Sequence, residues 1–254
     1  MASVRLLEAI PIFVIAIAER RSIRSCSASV SPCPSRPHFL RIIFPHIPKC
    51  AGTSVKEQFS NRTDVFLDYF CHPTWIHVAD TVAGKALQAE LKSQLPERSD
   101  WIVFGHFEAS AYDDIDYDFK VLLLRDPLER AVSHFHYIKQ SLPDNDVTRR
   151  RHREVGLIKD DQMSFEEFAD LDHIRHFYGK FYLRNLDINQ RLILLAVSDL
   201  DSSFYRLYLK TGLKLNTAVH SNRSIYSKDF GHLRSCFAED VQLYQYLIAH
   251  QDDA

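Results

Sequence analysis

The sequence predicts an α/β fold: three layers, with a mostly parallel central sheet flanked by helices. Three observations carry that expectation. Short apolar runs rich in β-branched, aromatic and leucine residues recur at Phe39–Phe44, Trp101–Phe104, Val121–Leu124 and Leu192–Val197, as strands covered on both faces require. Helical patterns with start and stop signals lie between several of them, and alternation of this kind builds a parallel sheet. The chain has 254 residues, 46% hydrophobic and 25% charged, enough for one sizeable core.

The first 38 residues stand apart. Ala9–Ala18 is apolar and ends at Glu19-Arg20-Arg21, short of the roughly 20 residues that a membrane-spanning helix needs. A Ser-, Cys- and Pro-rich stretch then runs to Pro37, so residues 1–38 read as a poorly ordered leader and linker before a domain over 39–254. Arg5 and Ser27-Ala28-Ser29 match a secretory signal only weakly, and the charges after the apolar run argue against one. Cytoplasmic and membrane-associated placement both stay open.

The first strand runs into Pro45-His46-Ile47-Pro48-Lys49-Cys50-Ala51-Gly52-Thr53-Ser54, after which Val55 to Phe59 continues a helix. A strand, a tight loop and a helix N-terminus make an anion site. Amide N–H groups of the first turn lack intrahelical acceptors, and the helix dipole favours negative charge there. Lys49 adds a cation, Thr53 and Ser54 hydroxyl donors. Nucleoside triphosphates are gripped by Gly-x-x-x-x-Gly-Lys-Ser/Thr, and that spacing is absent: Lys49 precedes the loop's glycine. Cys50 inside this loop reads as space filling.

The next strand, Trp101–Phe104, leads to Gly105 and His106. The third apolar run ends at Arg125, after which Asp126 suits a helix N-cap and Pro127 the first helical position. Ser133 lies two turns along, on nearly the same face as the cap. A guanidinium with a hydroxyl suits a phosphomonoester through fork-shaped, charge-assisted donation. Arg130 reads as an exposed helical arginine or as a ligand contact. His46 reads as loop support, and His134 and His136 as packing or acceptor-side residues. Farther on, Ser164 caps a helix start, Leu192–Val197 is a buried strand, Asp201–Leu209 a helix stopped near Gly212, and Phe237–His250 a packing helix.

Pro-Lys-x-x-Gly-Thr-Ser at 48–54 resembles the 5′-phosphosulfate loop of sulfotransferases that use 3′-phosphoadenosine 5′-phosphosulfate (PAPS). Arg-Asp-Pro-x-x-Arg-x-x-Ser at 125–133 resembles their 3′-phosphate motif. Gly105-His106 resembles the carbohydrate, heparan sulfate 2-O-type branch, in which such a histidine is the base. The resemblance implies a P-loop-like fold, PAPS as co-substrate without a metal, and a hydroxyl acceptor on a carbohydrate. It implies His106 and Lys49 as catalytic, and Lys49, Cys50, Ala51, Gly52, Thr53, Ser54, Arg125 and Ser133 as nucleotide-binding, with Arg223 added from a later polar loop. One departure stands out: a second histidine of that branch, two residues before the base, is Phe104 here.

Two other readings compete. A nucleotide-dependent kinase-like P-loop enzyme requires the loop that is absent, and a non-catalytic glycan- or nucleotide-binding relative needs neither Lys49 nor His106. The net charge of −2 carries no nucleic-acid footprint. Five cysteines and scattered histidines show no zinc-like spacing. Arg149–Arg153 reads as a solvated loop or as a strip for an anionic sugar. The acceptor pocket is expected from loops at Phe70–Leu95 and Ser141–Asp161; the acceptor's identity and the oligomeric state have no readable signal.

Overall fold

A computed structural model describes residues 40–71, 78–151, 153–217 and 230–250, all within the unit Ser35–Ala254. The expected leader, Arg223 with its loop, and the side chains of residues 150–153 lie outside the described residues.

Five strands form one sheet in the order β2-β3-β1-β4-β5: β1 Arg41–Pro45, β2 Val65–Asp68, β3 Trp101–Gly105, β4 Phe119–Leu124 and β5 Leu192–Ala196. Every pairing is parallel. The fold is therefore the α/β architecture with a parallel central sheet and helices on both faces. Alternation along each strand sorts side chains between those faces. Ile42, Phe44, Ile102, Phe104, Val121, Leu123, Ile193 and Leu195 point one way, onto Val55 and Phe59 of α1 (Gly52–Phe59) and onto Phe204 and Leu207 of the helix Leu200–Thr211. On the opposite face Ile43, Trp101 and Val103 pack on Leu91 of α2 (Val78–Gln94) and on Leu95 just after it. Leu122, Leu124, Leu192 and Leu194 meet Phe177 and Tyr182 of a π-helical stretch, Phe177–Tyr182, and Leu247 of the C-terminal helix Ala238–Ala249.

After β4 the chain builds a helical layer from α3 Pro127–Gln140, α4 Asp146–Arg151, α5 Arg153–Lys159, α6 Phe165–Ala169 and α7 Asp172–Arg175, joined by Val241 of α9 Ala238–Ala249; α8 Leu200–Thr211 follows β5 and packs on the sheet beside α1. The layer's own core centres on Phe135, Phe165, Phe168 and Phe237. Local signals act as expected. Ser164 and Glu167 form a reciprocal capping box, and Gly212 ends α8 at φ 74°, a conformation that costs glycine nothing.

Two expected loops are largely helix. The segment Phe70–Leu95 contains α2, and Ser141–Asp161 contains α4 and α5. Arg149 does not reach toward an acceptor: it donates to Asp144 and Asp160, which binds it into its own helical hairpin. Among the described residues no helix is long and apolar enough to cross a membrane.

The topology positions the site. From β1 the chain moves outward past β3 to β2, returns to β3, then crosses to β4 on the other side of β1. The carboxyl ends of β1 and β4 thus flank a switch point, where open parallel sheets leave a crevice for ligands. Lys49 follows β1, Arg125 follows β4, and His106 follows β3.

Candidate active site

The loop after β1 is bent by two non-glycine residues in left-handed conformation, Lys49 at φ 71° and Ala51 at φ 56°. Each such residue costs roughly 1–2 kcal/mol. The bend ends in α1, where Gly52, Thr53 and Ser54 supply first-turn amides that have no acceptor within the helix. Gln58 fastens α1 from behind, bonding the carbonyls of Ser54 and Asn216, both at 3.0 Å. Lys49 lies half-buried with its Nζ 4.0 Å above the Tyr137 ring. Burial first, then the nearby Arg125 guanidinium, pushes its pKa down to about 8. A lysine and an arginine on adjoining loops whose charges act on each other suit a multivalent anion.

Cys50 is buried inside the loop. Its N–H donates to the Ile47 carbonyl at 3.2 Å, and its buried Sγ lies 3.5 Å from the Tyr178 hydroxyl. Burial also raises the thiol's pKa, and the side chain fills space between the loop and Tyr178.

The loop after β4 is built differently. Asp126 accepts from the amides of Leu128 at 3.1 Å and Glu129 at 3.3 Å, as an N-cap does. It also takes a hydrogen bond from Arg234 at 2.7 Å. Arg125 leans on Glu129 at 3.3 Å. Its main chain is clamped by Tyr178, whose hydroxyl donates to the Arg125 carbonyl at 2.5 Å and accepts from the Arg125 amide at 3.1 Å. Because the same hydroxyl touches Cys50, Tyr178 ties the two loops together. Asp240 orients that tyrosine by accepting from the amides of Tyr178 and Gly179. Ser133 is nearly buried on α3. Arg130 is neither an exposed helical residue nor a contact in the crevice. It is fully buried, stacked 3.6 Å from the Phe177 ring centroid, with one N–H on the Ile174 carbonyl.

The third element holds His106. Gly105 precedes it because the Asp68 backbone of β2 passes too close for a side chain: a Cβ there would fall 1.7 Å from the Asp68 carbonyl oxygen. His106 is half-buried, and desolvation, followed by His46, Lys56 and His134, holds its pKa well below the ordinary imidazole value. That direction favours the neutral imidazole, the form in which a histidine can accept a proton. The structure also supplies the imidazole that Phe104 removes from the pattern. His46 follows β1 in register with His106, its amide donating to the Gly105 carbonyl at 2.5 Å. Its ring stacks on Phe104 at 5.1 Å, and its Nδ1 lies 3.1 Å from His106 Nε2. Tyr69, at the end of β2, packs its ring 4.8 Å from that of His106, with its hydroxyl 3.4 Å from His46 Nδ1. Burial raises the Tyr69 hydroxyl to about 12. His134 packs instead on Phe168, and His136 lies beside Phe135.

Sequence reasoning thus locates the three loops but misses Tyr178, Arg234 and the partnership of His46. Only the last has a visible signal: parallel strands place the residues that follow them side by side. Among the described residues no group of three or more His, Cys, Asp or Glu side chains is arranged to hold a metal.

The sequence pattern of the Sulfotransferase family matches residues 37–194. Among solved structures, that of a sulfotransferase from Alicyclobacillus acidocaldarius is 12% identical, the similarity covering 85% of this chain and 97% of that one at a TM-score of 0.41. That of mouse sulfotransferase SULT7A1 complexed with PAP is 14% identical, covering 73% of this chain and 62% of that one at a TM-score of 0.34. No curated protein matches the chain.

Proposed function

This chain belongs to the sulfotransferase family, and we propose that it moves the sulfuryl group of PAPS to a hydroxyl of a carbohydrate. The observation that carries this reading is that the loops of Lys49 and Arg125 follow the neighbouring parallel strands β1 and β4 and are joined by the Tyr178 hydroxyl, which touches Cys50 and holds the Arg125 main chain. Two cations at a switch point suit a nucleotide with anionic groups at both ends. The 5′-phosphosulfate would lie on the Lys49–Ser54 loop and the 3′-phosphate against Arg125 and Ser133.

The chemistry follows from those positions. The acceptor oxygen attacks sulfur and passes its proton to His106. The bond between sulfur and the bridging phosphate oxygen breaks, and charge collects on the departing adenosine 3′,5′-bisphosphate. Lys49 and the α1 amides stabilise that charge, an electrostatic role that grows as the bond breaks. The residues need no metal for this sequence of events. Support for a carbohydrate acceptor is narrower: it rests on the Gly105-His106 pattern, now with His46 beside it.

Calorimetry with adenosine 3′,5′-bisphosphate against ATP tests the donor, with the bisphosphate expected to bind more tightly. Preference for ATP would return the kinase reading. Transfer of labelled sulfate from PAPS to a panel of glycans, phenols and steroid alcohols tests the acceptor. Label on phenols or steroids alone would remove the carbohydrate.

A further inference from the structure

A lysine drawn out of water ordinarily has a carboxylate beside it. Half-buried Lys49 has none: among the described residues its ammonium makes no ion pair. Its neighbour is the face of Tyr137, with Nζ 4.0 Å from the ring centroid. The carboxylates of the adjoining loop are already engaged. Asp126 caps α3 and takes Arg234, while Glu129 pairs with Arg125. The ionisable groups that act on Lys49 are Arg125 from the β4 loop, which opposes the ammonium, and Cys50 from its own loop.

The residue that carries the ring is well anchored. Tyr137 lies on α3 one turn beyond Ser133, so the two share a face of that helix. Its carbonyl accepts from the amides of Ser141 and Leu142, both at 2.9 Å, which closes the helix just past it. The last turn of a helix also carries the negative end of the dipole, which favours a cation. An aromatic face attracts an ammonium through its quadrupole yet bears no net charge. That difference matters in an anion site. A carboxylate beside Lys49 would repel an incoming phosphosulfate, and a ring does not.

Taking Lys49 as the group that meets the departing phosphate, as proposed above, we infer that Tyr137 is a positioning residue whose ring stands in for a counter-ion and holds the ammonium at the crevice before the donor arrives. An ammonium has three N–H bonds, so the ring takes one side of it and the anion another. Lys49 therefore needs no partner to be displaced when the donor binds.

Two variants test this. Tyr137→Phe keeps the aromatic face and Tyr137→Leu removes it, and at 39% exposure neither opens the core. In ligand-free full-length protein carrying ¹³C-lysine, the ε-methylene signal of Lys49 is assigned by Lys49→Arg and titrated. In the wild type and Tyr137→Phe that signal is expected upfield, shifted by the ring current, with a midpoint of about 8. In Tyr137→Leu the ring-current shift should vanish and the midpoint fall by roughly 0.5–1 pH unit, as loss of a partly desolvated cation–π contact requires. The same signal and midpoint in Tyr137→Leu as in the wild type would overturn the inference. Calorimetry extends the test to the donor. At pH 8 Tyr137→Leu should bind adenosine 3′,5′-bisphosphate roughly two- to fivefold more weakly than the other two proteins, with the gap closing toward pH 6 as Lys49 becomes protonated in all three. A loss equal at every pH would also overturn the inference, because the ring would then shape the site without acting on Lys49. If the bisphosphate binds none of the three, the donor reading falls by itself, since the titration needs no ligand.

Discussion

The loops after β1 and β4 lie on one edge of the sheet and are built on opposite plans. The first carries two left-handed non-glycine residues, first-turn amides without helical acceptors, and a lysine pushed down to about 8. The second is closed by bonds: Asp126 caps two amides and takes Arg234, while Tyr178 holds the Arg125 main chain at both its carbonyl and its amide. One end stores strain and uncompensated charge, and the other is complete before a ligand arrives. Strain of this kind persists only where the surroundings enforce it. A site that must stabilise charge appearing during a reaction needs the first plan, and a site that must only hold a phosphate needs the second. On the proposed function, the contrast puts chemistry on the β1–β3 side and affinity on the β4 side.

That assignment is most exposed to a pair of substitutions with opposite readouts. His106→Ala should lower turnover by roughly 10²-fold or more, the worth of a positioned base, while calorimetry finds the bisphosphate bound nearly as before. Turnover close to the wild type would take the base role from His106. Arg125→Ala should act on binding. Loss of a charge-assisted contact worth about 1.5–3 kcal/mol weakens adenosine 3′,5′-bisphosphate by roughly 10- to 150-fold, and adenosine 5′-phosphosulfate far less. Equal losses for the two ligands would mean that Arg125 does not read the 3′-phosphate.

The same contrast separates what the amino-acid pattern makes legible from what it hides. Strands β1, β3, β4 and β5 are legible because burial on both faces leaves continuous apolar runs, and Asp126-Pro127 and Ser164 because caps are local chemistry. Edge strand β2 is not, since Val65-Phe66-Leu67-Asp68 is short and Leu67 is exposed. The helix α2 lies hidden in a segment that reads as loop, its polar residues giving no clean stripe. At the site, Lys49, Arg125 and His106 come from motifs contiguous in sequence. Tyr178 and Arg234 depend on contacts 53 and 108 residues apart, which no local pattern encodes, and the pairing of His46 with His106 becomes visible only once β1 and β3 are taken as parallel neighbours. Arg130 misleads for a related reason: helical spacing does not tell whether a further layer covers that face, and here Phe177 does.

Lys49 offers a measurement on the strained loop alone. An anion binds the protonated amine and raises its pKa, so binding is fully supported below about 8 and weakens as pH rises through that value. Affinity for adenosine 3′,5′-bisphosphate should therefore fall by up to about tenfold per pH unit above 8, with proton uptake seen as a dependence of the calorimetric heat on buffer. Lys49→Arg, which keeps its charge, should abolish that limb. On stability the sign reverses. The unfolded lysine holds its proton up to 10.5 and the folded one only to about 8, so this group makes the free protein more stable as pH rises between those values. A flat affinity profile across the window would mean that Lys49 does not meet the anion.

The smallest expected effect bears most directly on whether the loop's strain matters. Ala51 sits at φ 56° with its methyl partly packed on the sheet's core. Ala51→Gly removes a steric cost of roughly 1–2 kcal/mol. Against it stand the extra backbone entropy of glycine, about 0.5–1 kcal/mol, and the loss of a half-buried methyl, about 0.4 kcal/mol. The balance favours the variant by less than about 1 kcal/mol, a rise in Tm of about 2 °C for a domain of this size. If the bend exists to hold α1 amides and Lys49 on the departing phosphate, turnover should fall while stability rises, because a freer loop no longer enforces their direction. A drop in Tm would mean that packing of the methyl outweighs the dihedral, and that the loop is less strained than its angles imply. Higher stability with unchanged turnover would separate strain from function and leave charge alone as what distinguishes the two ends.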